Sequence, residues 1–281
     1  MCYNQELYIN IFEKNIVISR CCNFIQHPNN CFSLDIEKLP KNDQDLKNLI
    51  FEYSKRPSSF KDLIPNKEKL CNTSCEYVFK SDIKNININI CGCNLHCVMC
   101  PWTKNVITDG MNNIYERICH IFLNENFFIR MTSIGEPFIH RQIIDEFLNK
   151  KRPFTAVTNL QCINDNDIIK MSQIPSLYLD CSVDSVNENI YRSIRIPSSH
   201  ETFLKVLNTA KKLAELSILK HNSLTIVDQN LNLKDLINTY DFFKNINVET
   251  TFAVDGRKRE ELLKHPIVQE LLQLYPNNWR I

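Results

Sequence analysis

The chain has no excess of charge of either sign: 33 basic residues face 32 acidic ones in 281. No global field therefore draws it to nucleic acid or to an acidic surface. No run reaches 18 consecutive apolar residues, and no basic segment followed by an apolar stretch opens the chain. The expectation is a soluble, unexported, cytoplasmic protein with neither a membrane nor a nucleic-acid partner. Glycine is scarce, at four residues, against abundant Asn, Ile and Lys, which speaks to coding rich in A and T rather than to mechanism. Internal repeats and long low-complexity linkers are also absent.

Cysteine is what the chain has in plenty, 13 residues, an odd count that argues against complete internal pairing. At 33.0 kDa the chain far exceeds disulfide-stapled secreted domains, and a reducing cytosol makes metal ligation the default role for its thiols. Three of them share one loop, Cys93-Asn94-Leu95-His96-Cys97-Val98-Met99-Cys100. Three thiolates can hold three irons of a cubane 4Fe-4S cluster and leave the fourth iron open to an exogenous ligand. A zinc loop or a set of buried core thiols are the competing readings. Zinc wants a nearby fourth ligand, and the local candidate, His96, is enclosed within the loop.

With 43% hydrophobic residues the chain can build a core of barrel size plus a smaller module. Residues 7–12 and 15–19 are β-rich runs separated by Glu13-Lys14, the pattern of a hairpin. Leu46, Leu49, Ile50 and Tyr53 recur at helical spacing over 43–54, and Pro57 ends that helix. From residue 80 onward strands and helices alternate, as in parallel sheets of βαβ units. Strands are expected at 85–90, 127–132, 155–158, 177–183, 224–227 and 249–253. Helices are expected at 112–123, 142–150, 165–172, 200–216 and 233–243, with Ile114, Ile118, Ile121 and Phe122 buried in the first. The 85–90 strand has strict period two, its isoleucines toward covering helices and its asparagines toward a polar lumen. The cysteine loop follows that strand at its C-terminal end, where barrel enzymes build active sites. The segment 259–275 reads as helical, with Leu262, Leu263, Leu271 and Leu272 packing across the barrel mouth. Arg257-Lys258-Arg259, the densest basic run, reads as a solvated helix start.

A CxxxCxxC loop after the first strand of a six-unit α/β chain resembles the radical S-adenosylmethionine (SAM) superfamily. The resemblance implies a partial (β/α)6 TIM-like barrel in which the open iron is chelated by SAM. One electron from a donor such as flavodoxin or ferredoxin then cleaves the cofactor, and the resulting 5′-deoxyadenosyl radical takes a hydrogen atom from substrate. Ile134-Gly135-Glu136-Pro137 resembles the family's Gly-Gly-Glu-Pro element, with Ile134 in place of the first glycine. Glu136 would accept from the methionyl ammonium, and Gly135 would let the backbone approach the ligand. The stretch from Asp180 to Arg195 is similar to the family segment ending in an Ile-Arg pair. It implies Ser182 as a ribose contact and Arg195 as partner of the methionyl carboxylate, with Arg192 as the competing choice. Asn159 would reach cofactor or substrate. Met99 and Trp102 would pack near the adenine or simply in the core, and residues 224–227 stand at the adenine shelf.

The first third is similar to the auxiliary-cluster module called SPASM or, halved, twitch. By that resemblance Cys2, Cys21, Cys71 and Cys75 would ligate a second 4Fe-4S cluster, with Cys22 and Cys31 competing for the position of Cys21. A structural zinc site is the alternative for this set. Of the remaining thiols, Cys119 fits a buried helix face. Cys162 and Cys181 either return a hydrogen atom to a substrate radical or fill the core as small hydrophobes. The resulting expectation is a module at 1–80, a barrel at 81–257 and a helical segment at 258–281. The substrate expected is a peptide or protein, with a sugar or aminocyclitol dehydrogenase and a non-catalytic zinc scaffold as alternatives.

Overall fold

A computed structural model describes residues 6–11, 14–19, 32–54, 83–90, 92–100, 108–131 and 135–280. Cys2, Cys21, Cys22, Cys31, Cys71, Cys75, Cys91, Trp102 and Ile134 lie outside the described residues. The chain forms two compact units, residues 1–92 with 105–135, and residues 93–104 with 136–281.

In the first unit β1 (Glu6–Ile11) and β2 (Asn15–Ser19) form the expected antiparallel hairpin, and β3 (Phe32–Asp35) pairs antiparallel with β2. β1 also runs parallel to β4 (Asn85–Ile90) in register along its full length, from Glu6 opposite Asn85 to Ile11 opposite Ile90. The hairpin is thereby part of one sheet with β4, which pairs parallel with β5 (Phe128–Met131) on its other side. α1 (Asp43–Ser54) and α2 (Asp109–Leu123) cover the sheet, α1 against β2 and α2 against β4 and β1. Phe51, Phe122 and Phe127 meet with ring centroids 5.8–6.2 Å apart.

One expectation changes here. The Thr108 side chain caps α2 by accepting from the Met111 N–H, so the helix starts three residues early. Its buried stripe becomes Met111, Tyr115, Ile118, Cys119 and Phe122, with Ile114 and Ile121 only half-buried. Asn87 and Asn89 of β4 are as deeply buried as its isoleucines, whereas Asn85 is half-buried. Asn89 satisfies its amide by donating to Asn10 Oδ1 at 2.9 Å on β1.

In the second unit β6 (Phe154–Thr158), β7 (Tyr178–Cys181), β8 (Leu219–Ile226) and β9 (Glu249–Val254) lie side by side in chain order, all parallel. α3 (Arg141–Asn149) precedes them. α4 (Asp165–Met171), α6 (His200–Glu215) and α7 (Leu233–Asn245) are the expected crossovers, each opened by an Asn or Ser cap: Asn164, Ser199 and Asn232. α5 (Glu188–Ile194) replaces the loop expected after β7, capped by the Asn187 side chain. β8 starts at Leu219, five residues early, since residues 219–223 mix polar and apolar types and hide the strand pattern. Asn222 is fully buried.

The C-terminal helix is interrupted at Pro266, whose missing N–H suits a helix start, giving α8 (Arg259–Leu263) and α9 (Pro266–Leu274). Val268 and Leu271 of α9 pack with Leu224, Ile226, Phe252 and Leu236 of α7. They therefore cover the face that α7 covers and not the mouth. Residues 278–280 then exchange backbone hydrogen bonds with Phe252, shielding the edge of β9.

Candidate active site

The cysteine loop is pinned by its own backbone. His96 and Val98 donate their N–H groups to the carbonyls of Ile196 and Ile194, the latter at 3.1 Å, so Cys97 and Arg195 stand between two backbone bonds. The Cys100 N–H donates to Cys97 O at 3.0 Å and closes the turn. Cys93 is exposed, Cys97 buried and Cys100 half-buried. Among the described residues no group of three or more His, Cys, Asp or Glu side chains is gathered for a single ion. Thiolates on a cubane each take a different iron.

The donors around the sulfurs suit thiolates. Leu95 N–H and Asn159 Nδ2 point at Cys93 Sγ at 3.4 and 3.7 Å, and Arg195 Nη1 points at Cys97 Sγ at 3.4 Å. Burial pushes the Cys93 thiol up to about 11, although the Leu95 N–H opposes it. Burial also raises Cys97, opposed by Arg195.

Glu136 leads into the short 3-10 turn Pro137–Ile139 and is buried. Its Oε1 accepts from the Phe138 N–H at 3.0 Å and from Thr158 Oγ1 at 2.9 Å; its Oε2 accepts from the Asn159 N–H at 2.6 Å. The turn that aims the Asn159 amide holds Leu160 in the left-handed region at φ 67°, locked by a bond from its N–H to Thr158 Oγ1 at 3.0 Å. Burial raises the Glu136 pKa to about 7, against these three donors and the Arg195 charge. The result is a carboxyl poised to ionise for a cation.

Gly135 forms a bridge with Gly92, the residue before Cys93. A Cβ on Gly135 would sit 2.4 Å from both Gly92 O and Ile90 O, so no other residue fits.

Arg195 and Asp184 form a buried pair: Nε and Nη2 reach Asp184 Oδ2 at 2.7 and 2.6 Å. Asp184 Oδ1 accepts from the Thr225 N–H at 2.9 Å, which anchors the pair to β8. Burial by itself would lower the Arg195 pKa, but Asp184 and Cys97 more than offset it and hold the guanidinium charged. Arg192, the competing choice, is exposed and bonds Glu188 and the Ser198 carbonyl.

Of the remaining sequence candidates, Asn159 is buried and its Nδ2 also donates to Asn94 Oδ1 at 2.8 Å. Ser182 donates its N–H to Thr158 O at 3.1 Å, and Met99 is half-buried. Cys162 is partly exposed and within electrostatic range of Glu136, its thiol pushed to about 11 mainly by burial. Cys181 is fully enclosed, donating to Asn222 Oδ1 at 3.3 Å. Cys119 lies on the buried face of α2, as expected.

Sequence reasoning passed over three groups. Asp184 could have been found as an acid that needs a partner just beyond a strand end, between Val183 and Ser185. Asn94 and Gln161, whose amides join at 2.8 Å and tie the loop to the end of β6, carry no sequence signal. Arg257, exposed at a solvated helix start as expected, also pairs with Asp255 and donates from Nη2 to the Val98 carbonyl of the loop.

No protein-family model matches the chain, and no curated protein matches its sequence. Solved structures do match. Streptococcus suis SuiB bound to precursor peptide SuiA matches at TM-score 0.50 and 14% identity, over 70% of this chain and 48% of that one. Native anSMEcpe with bound AdoMet and Cp18Cys peptide matches at 0.45 and 16%, over 61% of this chain and 51% of that one. A radical SAM methyltransferase from Sphaerobacter thermophilus matches at 0.42 and 13%, over 66% and 63%. The chain spans about half the length of the SuiB chain. The architecture shared with SuiB is the α/β, TIM-like partial barrel expected from the sequence. No described helix is long and apolar enough to cross a membrane.

Proposed function

We propose that the chain is a radical SAM enzyme that modifies a peptide or protein substrate. One observation carries this reading: an exposed-to-buried trio of thiols, each with N–H donors or backbone fixing around it, lies in one compact unit with a buried, cation-ready carboxyl at Glu136. The donor set fits a 4Fe-4S cluster held by Cys93, Cys97 and Cys100. When bound, cluster and SAM together supply a one-electron cleavage that yields a carbon radical.

The protein's part is to place and shield. Glu136, fixed by three donors, takes the positive ammonium of the ligand. Asn159 links Glu136 to the cysteine loop through its N–H and its amide. Ser182 and Met99 are assigned to the nucleoside end and the partly exposed Cys162 to hydrogen return, while the enclosed Cys181 fills the core. The fold shared with SuiB, solved with a precursor peptide, favours a peptide substrate over a free sugar. Cys2, Cys21, Cys71 and Cys75 are assigned to an auxiliary cluster in a module at 1–80.

Anaerobic reconstitution followed by chromatography tests the reading. Dithionite and SAM are expected to give 5′-deoxyadenosine. Replacing Cys93, Cys97 and Cys100 by Ala should abolish it while leaving about four irons on the auxiliary set. A colourless protein that carries zinc and no iron would sink the reading.

A further inference from the structure

We infer that Arg195 is a positioning residue for the cluster itself: braced by Asp184, it donates to the sulfur of Cys97 and makes the cluster easier to reduce. This rests on the cysteine loop being a 4Fe-4S site.

The geometry favours this over an ordinary ion pair. Arg195 is 8% exposed and Asp184 0%, so both charges have left water. A buried ion pair roughly breaks even in stability against apolar residues of the same shape, which makes stability a weak reason for its presence. The pair is also built to aim one group. Asp184 Oδ2 takes Nε and Nη2, its Oδ1 is fixed by the Thr225 N–H, and the Asp184 carbonyl accepts from Asn230 Nδ2 at 3.1 Å. That leaves Nη1 directed at Cys97 Sγ at 3.4 Å. The loop is held to the same segment by the bonds from His96 and Val98 to Ile196 and Ile194, on either side of Arg195. Sulfur and guanidinium therefore keep their register as a unit.

The chemical consequence follows from charge. Reduction adds one electron, supplied by an external one-electron donor, to a cluster already negative through its thiolates. A positive donor hydrogen-bonded to one thiolate stabilises the more negative, reduced form. Asp184 acts in the opposite sense by offsetting part of that charge. Three of the five guanidinium N–H groups are committed in this arrangement, and the Nε–Nη2 edge that best grips a carboxylate is occupied by Asp184. Arg195 thus serves the cluster before any ligand carboxylate.

The test is the midpoint potential of the SAM-responsive cluster in the anaerobically reconstituted full chain, read by electron paramagnetic resonance during a dithionite titration with mediators. Arg195→Met is expected to shift the potential more negative. Asp184→Asn is expected to shift it less negative. Arg195→Lys, which keeps the charge but cannot serve Asp184 and Cys97 together, should fall between wild type and Arg195→Met. A purely structural role predicts loss of iron or shifts of one sign in both partners, and either that or unchanged potentials would overturn the assignment. If Arg195→Met fails to fold around its unpaired Asp184, the opposed signs of Arg195→Lys and Asp184→Asn decide the matter. Absence of any SAM-responsive 4Fe-4S signal in the wild type is the distinct result that overturns the underlying reading, and this inference with it.

Discussion

Gly135→Ala is the sharpest test of how the site is built. The added Cβ would stand 2.4 Å from two backbone oxygens, Gly92 O and Ile90 O, and 3.1 Å from Gly92 N. Real Cβ contacts essentially never fall below 3.0 Å, so each carbonyl has to retreat by about 0.6 Å. Neither can swing away as a side chain would, because Ile90 ends a strand paired with β1 and Gly92 is bridged to Gly135 itself. Overpacking against rigid neighbours costs about 1–3 kcal/mol, and two backbone clashes place this case at the upper end. Gly256→Ala is the matched control: nothing lies within 4 Å of its added Cβ, so its effect should stay within about 0.5 kcal/mol. Gly110→Ala, inside α2 with only Thr108 Oγ1 at 3.9 Å, should stabilise by about 0.5–1 kcal/mol. Urea unfolding followed by circular dichroism measures all three. A Gly135→Ala variant as stable as Gly256→Ala would refute the close-approach argument.

Glu136 gives a pH test. Its folded pKa near 7 exceeds its ordinary value of 4.5, so it contributes stability below pH 4.5 that is lost as pH rises through 7. The effect is on the order of 3 kcal/mol, and the difference in unfolding free energy between wild type and Glu136→Gln across pH 4.5–7.5 should show that slope. Because a positive ligand selects the ionised carboxyl, wild-type affinity for SAM should rise from pH 6 to 8, whereas that of Glu136→Gln should stay flat. His221 runs the other way. Burial lowers its pKa from 6.5 to about 4, so stability is lost as pH falls through that window, and His221→Gln should flatten the acid limb. Asn94→Ala removes the amide that joins Gln161 and Asn159, at about 1 kcal/mol per bond, and should speed iron release to a chelator without changing global unfolding much. Phe122→Ala empties the aromatic cluster of the first unit and should cost about 3–5 kcal/mol by thermal unfolding; a loss below 1 would contradict its packing.

The sequence by itself determined the local elements. Period-two isoleucines wrote β4, helical spacing with Asn or Ser caps wrote α4, α6 and α7, and the thiol spacing singled out the loop, because all of these are encoded within a few residues. It misplaced a feature that depends on distant partners: α9 packs beside α7 because Val268 and Leu271 meet Leu224 and Phe252 there. At the site, spacing could propose Glu136 and Arg195 but not their surroundings. That Asp184 braces Arg195 across 11 residues, and that Arg195 then meets Cys97 across 98, was decided by tertiary structure. A buried charge must find its partner wherever the fold brings one.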